Sequence, residues 1–222
     1  MHGGVEKDDL KKENLDALKK GLPNLEKHIE NVKTFGLELV VAINHFITDT
    51  DKEVQLIKDH CSKLGVKVSL CTHWSDGGKG AEDLAKNVVD ICKKNNKEYF
   101  KYLYPNEMPI LKKIETIAKK IYGAAGIEVD EKIKEEVKKI EDYGFGKFPV
   151  CIAKTQYSFS TDPKLKGAPT GHSLPVREIR LSSGAEFIVV ICGSIMTMPG
   201  LPKIPAAESI KLNKKGEIEG LF

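Results

Sequence analysis

The sequence predicts an α/β protein: a parallel sheet with flanking helices, followed by a smaller α/β unit. Three observations carry this expectation. Continuous apolar runs at residues 39–43 and 187–192, and an apolar or alternating run at 66–71, have the length and character of strands in a parallel sheet. Helical periodicity separates the first run from the next and follows it again. The connections are short, which is the pattern of right-handed strand–helix–strand units.

Taken in order, Leu25, Ile29, Val32 and Phe35 follow a helical spacing that ends at Gly36, a residue suited to a helix C-terminus. The 39–43 strand then gives way to Asn44-His45-Phe46-Ile47-Thr48-Asp49. Thr50 and Glu53 match a capping box, in which each side chain would satisfy the other's orphan backbone donor. Val54, Ile57, Cys61 and Leu64 make the next helix stripe, closed by Gly65. After the 66–71 strand and a polar segment at 72–80, Leu84, Val88, Ile91 and Cys92 mark a third helix. The character changes near residue 99, so the chain divides into a unit at 1–98 and a second at 99–222. Ile110, Ile114, Ile117 and Ile121 form one helical stripe there, and Ile133, Val137 and Ile140 another. The charge run at 132–141 reads as a solvated helix face. Residues 150–154 are a strand candidate, and 155–175 and 193–205 are Gly/Pro-rich loops, each beginning at the end of an apolar strand.

Composition narrows the function. The 222 residues carry 35 Lys+Arg against 32 Asp+Glu, a formal +3, too balanced for a nucleic-acid footprint or a polybasic membrane patch. No apolar run approaches the roughly 20 residues of a spanning helix, and no leader with a cleavage site is visible, so a cytoplasmic protein without a membrane partner is expected. The 5 cysteines are widely spaced, with no CxxC or CxxH pair, and are expected to be small buried hydrophobes.

Ligands of open α/β sheets bind beyond the carboxyl ends of the strands. If the 39–43, 66–71, 150–154 and 187–192 strands are all parallel, the loops after them converge on one rim. Phe46 and Trp74 leave two of those ends in polar surroundings, and a pair of rings so placed would sandwich a flat heterocycle; the alternative is that each plugs the sheet end. Asn44 stands beside them. Asp49 and Asp76 would accept from ring N–H groups or act as turn-makers. Ser75, Gly77 and Gly78 are nucleotide candidates, since Gly77-Gly78-Lys79-Gly80 would offer backbone N–H groups at a helix start; the glycines would otherwise only make the turn. Lys154 and Lys203 would hold a carboxylate or phosphate or face solvent. His45 and His73 lack a third ligand at sensible spacing, so no metal site is expected. There is no GxxxxGK[ST] phosphate loop.

Several phrases also resemble one family, formate–tetrahydrofolate ligase. They are Met1-His2-Gly3-Gly4, Val40-Val41-Ala42-Ile43-Asn44-His45-Phe46 with Thr48-Asp49-Thr50, and His73-Trp74 with Gly77-Gly78-Lys79-Gly80-Ala81. Further on come Ile121-Tyr122-Gly123-Ala124, Ala153-Lys154-Thr155-Gln156-Tyr157-Ser158, and Thr197-Met198-Pro199-Gly200-Leu201-Pro202-Lys203 with Pro205-Ala206-Ala207. The closing Gly216-Glu217-Ile218-Glu219-Gly220-Leu221-Phe222 resembles that family's C-terminus.

The resemblance implies the C-terminal, folate-binding part of a ligase that joins formate to N10 of tetrahydrofolate, using ATP through formyl phosphate. It implies a sheet like that of phosphate-loop NTPases, with the phosphate loop and the catalytic residues in a part that this chain lacks. Phe46 and Trp74 map onto the aromatic pair that holds the folate ring, with adenine as a rival occupant. Asn44 and Asp49 border the same rim, and Thr197, Pro199, Gly200 and Leu201 would wall the pocket. Mg with ATP and a monovalent cation are implied for the complete enzyme. The missing part would leave a strand edge open, so self-association as a homo-oligomer, or association with that part, is expected. A non-catalytic folate- or nucleotide-binding module and an oligomerisation piece remain as alternatives.

Overall fold

Glu53 ties the start of the chain together. In the computed structural model, which describes residues 1–94, 100–195, 204–216 and 218–220, helix α1 (Leu15–Thr34) is followed by strand β1 (Val40–Asn44) and helix α2 (Asp51–Lys63). The capping box forms: the Thr50 side chain accepts from the Glu53 N–H, and the Glu53 carboxylate accepts from the Thr50 N–H. The other oxygen of Glu53 accepts from the N–H of Asn14 at 3.1 Å, and Asn14 itself caps α1 by accepting from Ala17. One carboxylate therefore fixes two helix starts.

Strand β2 (Lys67–Cys71) pairs parallel with β1, Val40 opposite Lys67 through Asn44 opposite Cys71. The paired Val41 and Val68 face Ile29, Ile57 and Cys61, forming a small core under α1 and α2. After the single turn α3 (His73–Asp76) and a 3₁₀ turn at Gly77–Ala81 comes α4 (Glu82–Lys94). Asn87 of α4 donates to Ser69 Oγ on β2 at 3.0 Å. No residue of α4 is buried, and Val88 and Val89 are exposed.

The larger core lies in the second half. Helix α5 (Ile110–Lys120), strand β3 (Gly126–Glu128), helix α6 (Glu131–Asp142) and strands β4 (Val150–Ala153), β5 (Ser173–Ser182) and β6 (Phe187–Cys192) build a four-stranded sheet in the order β3-β5-β6-β4. β3 runs parallel to β5 and β4 parallel to β6, while β5 and β6 are antiparallel. Ile110, Ile114, Ile133, Val137, Leu174, Ile188 and Val190 form the buried face. The lysines and glutamates of α6 lie mostly on its outer side, as the charge run suggested. A short antiparallel pair, β7 (Lys211–Leu212) with β8 (Ile218–Glu219), ends the described chain.

Three expectations need correction. The strands do not share one sheet: β1 and β2 stand apart from β4 and β6, so the four strand-end loops do not lie on one continuous rim. The 155–175 segment is not all loop, because β5 begins at Ser173. Its apolar alternation shifts phase at a bulge between Val176 and Glu178, which hides the period of two. α1 starts ten residues before Leu25 and carries Pro23 inside it, at the loss of one backbone hydrogen bond.

The cysteines also divide. Cys61, Cys71 and Cys192 are buried, but Cys92 and Cys151 are exposed, Cys92 on uncovered α4 and Cys151 on the edge strand β4. Burial pushes the Cys192 thiol up to about 12, and the thiolate is the reactive form. Ellman's reagent is expected to modify Cys92 and Cys151 quickly in the folded chain and the other three only on unfolding. Labelling of Cys192 at the same rate would contradict this packing.

Candidate functional site

The parallel pairing of β1 and β2 brings two carboxyl ends side by side. The pairing continues one residue past β1, where His45 N–H donates to Cys71 C=O at 3.0 Å. Phe46 comes next, and Trp74 follows three residues after Cys71. Phe46 is 61% exposed and Trp74 77% exposed, so neither plugs the end of the sheet. Neither makes a ring–ring contact among the described residues.

Short-range hydrogen bonds hold both turns. Asp49 Oδ2 accepts from Phe46 N–H at 2.9 Å, and Asp49 N–H donates back to Phe46 C=O at 2.9 Å. Asp49 is thus a turn-maker for the segment that carries Phe46. Thr72 Oγ1 donates to Asp76 Oδ2 at 2.6 Å, and Ser75 Oγ donates to Thr72 C=O at 3.1 Å. Asp76 and Ser75 both brace the Trp74 turn. Asn44 is exposed at the last position of β1.

The glycines serve the same turn. Gly77 has φ 58°, a conformation natural to glycine. At Gly80 a Cβ would stand 2.4 Å from the backbone carbon of Thr72, and Gly80 C=O accepts from Thr72 N–H at 3.0 Å. Gly80 lets the start of α4 lie against the base of the Trp74 turn. Gly78 would meet nothing within 4 Å, so the turn does not need it for space.

The site is an open surface. Cavities of about 330 and 310 Å3 lie against α1 and the β4 end, and neither is lined by Phe46 or Trp74. Thr197, Pro199, Gly200, Leu201 and Lys203 lie outside the described residues. Lys154 is not free to face solvent: its ammonium donates to three backbone carbonyls. That role has no sequence signal, because any residue supplies a carbonyl. Among the described residues no group of three or more His, Cys, Asp or Glu side chains converges as a metal centre would need.

An exposed aromatic pair at adjacent ends of a parallel sheet is what a flat, partly polar ring compound would require. The family model for formate–tetrahydrofolate ligase matches residues 1–222. The chain belongs to the formate–tetrahydrofolate ligase family. Over its whole length it is 66% identical to the formate–tetrahydrofolate ligase of Pelagibacter ubique strain HTCC1062, 57% identical to that of Roseobacter denitrificans and 55% identical to that of Sinorhizobium fredii. The chain spans only 39–40% of the length of these ligases.

Gly80→Ala is expected to displace the Trp74 turn and lower stability by about 1–3 kcal/mol, measured by urea unfolding followed through Trp74 emission. An unchanged midpoint and spectrum would show that the turn does not depend on this close approach.

Proposed function

We propose that this chain is the folate-binding, C-terminal part of an ATP-dependent formate–tetrahydrofolate ligase, in which Phe46 and Trp74 grip the flat ring of tetrahydrofolate. The observation that carries the reading is the exposure of both rings at the paired carboxyl ends of β1 and β2. Ring stacking of this kind contributes about 0.5–1.5 kcal/mol per pair beyond the area buried.

Family membership supports the chemistry. A ligase of this kind makes formate electrophilic by phosphoryl transfer and aligns it with the N10 amine where water is scarce. The chain has no GxxxxGK[ST] loop, so the phosphate loop and the catalytic residues are assigned to the remainder of the ligase, as is Mg with ATP. A monovalent cation belongs to the complete enzyme in the same way. In this reading residues 1–98 end a sheet of the phosphate-loop NTPase kind, and 99–222 form the smaller unit. Asn44 borders the ring, and Thr197, Pro199, Gly200 and Leu201 close the pocket. Asp49 acts through the turn that holds Phe46, and Ser75 and Gly77 through the turn that holds Trp74.

The two-stranded β1–β2 sheet supports association too. Parallel strands are normally covered on both faces and within larger sheets, yet Ala42 is exposed and each strand has one partner among the described residues. Association with the remainder of the ligase, or with a second copy, would cover these edges.

The test follows the single tryptophan. Tetrahydrofolate is expected to quench Trp74 emission saturably after correction for ligand absorbance, and ADP is not. Phe46→Ala is expected to weaken folate at least about tenfold, the factor that corresponds to about 1.4 kcal/mol. Quenching by ADP alone would assign the rings to adenine, and no quenching by either would remove the stacking role from this chain.

A further inference from the structure

A second place in the fold calls for a ligand. Lys154 follows β4 directly and forms part of the wall of the cavity of about 310 Å3. Its Nζ donates to the carbonyls of Thr155 at 3.0 Å, Ser158, and Ser160 at 3.2 Å, and lies 4.8 Å from the centroid of the Tyr122 ring. All of these acceptors are neutral. They hold the half-buried ammonium in place but bring no counter-charge to it, and a charge drawn out of water is normally paired.

The contrast with Lys113, another carbonyl-bound lysine, is direct. Lys113 is fully buried and donates to Gly146 C=O at 2.7 Å and Phe148 C=O at 2.9 Å. It has Glu107 and Glu141 near enough to favour its charged form. Lys154 has no carboxylate in ion-pair range among the described residues, and no acidic side chain lines its cavity.

The neighbouring imidazoles are shifted toward their neutral forms. Burial first, and the Lys154 charge second, pull the pKa of both His28 and His172 down. Burial also pulls Lys154 down to about 8. Lys166 adds a second cation beside Tyr157, with Nζ 5.8 Å from the ring centroid. His2 Nδ1 accepts from Gly167 N–H at 3.2 Å, so a neutral His2 ring carries its proton on Nε2 and can donate.

We propose that the counter-charge of Lys154 is supplied by a ligand, a small molecule bearing a carboxylate or phosphate group, bound in the cavity at the carboxyl end of β4. Lys154 supplies the positive charge of its wall, His2 offers a neutral Nε2–H donor beside it, and Gln156 lies exposed at the lip. Neither Phe46 nor Trp74 lines this cavity, so the site stands independently of the folate reading.

The test is the Tm of the chain titrated with inorganic phosphate and, separately, with acetate, each against sodium chloride at matched ionic strength. A saturable rise with phosphate alone assigns a phosphate-bearing ligand, and one with acetate assigns a carboxylate. Lys154→Met is expected to abolish the saturable rise. Gln156→Glu adds a negative charge at an exposed position that folding does not need, and is expected to weaken the anion about tenfold. No saturable rise with either anion, or a rise that Gln156→Glu leaves untouched, would overturn the proposal even if Lys154→Met failed to fold.

Discussion

The parallel ladder between β1 and β2 is the constraint on which the candidate site depends. Parallel pairing places two carboxyl ends together, and the His45–Cys71 hydrogen bond extends that alignment to the threshold of both loops. Past that threshold, short-range turn chemistry sets the path of each loop. Asp49 closes one turn on its own backbone, and Thr72, Ser75 and Asp76 close the other. Because these polar groups are spent within the turns, the rings of Phe46 and Trp74 are left outside. Exposed aromatic area of this kind is costly in water unless something covers it.

Helix α1 joins this small sheet to the larger one. It packs Ile29 against α2 and β1–β2, while Asn24, Lys27 and Asn31 donate to the carbonyls of Gly167, Lys120 and Ile121 in the second half. Those contacts are polar and local, whereas each sheet has an apolar core of its own. The arrangement explains why the two halves look different in sequence yet sit against a shared helix. Lys113 and Lys154 also differ in kind. Lys113 closes the turn before β4 with acids nearby, and Lys154 closes the turn after β4 with none.

Much of the first half was legible in the sequence because its signals are local. The Thr50–Glu53 box, the stripe Val54, Ile57 and Cys61, and the runs of β1 and β2 each act within a few residues. Phe46 and Trp74 could be singled out for the same reason, since each comes just after a recognisable strand end. The link from Glu53 to Asn14 was invisible, being a long-range bond to a backbone N–H. β5 was hidden by its bulge and by Pro175, which reads as a loop residue. Whether separate strands share a sheet depends on long-range pairing, and apolar runs alone do not encode it. Cys92 and Cys151 sit in apolar runs but on uncovered faces, and coverage is likewise a tertiary property.

The most direct measurement is an intermolecular NOE experiment on the chain with tetrahydrofolate. The one tryptophan makes the indole resonances unambiguous. NOEs are expected from the pterin or aminobenzoyl protons to the rings of both Trp74 and Phe46. Bound ligand with NOEs to neither ring would contradict the stacking role, and would move the folate site away from the ends of β1 and β2.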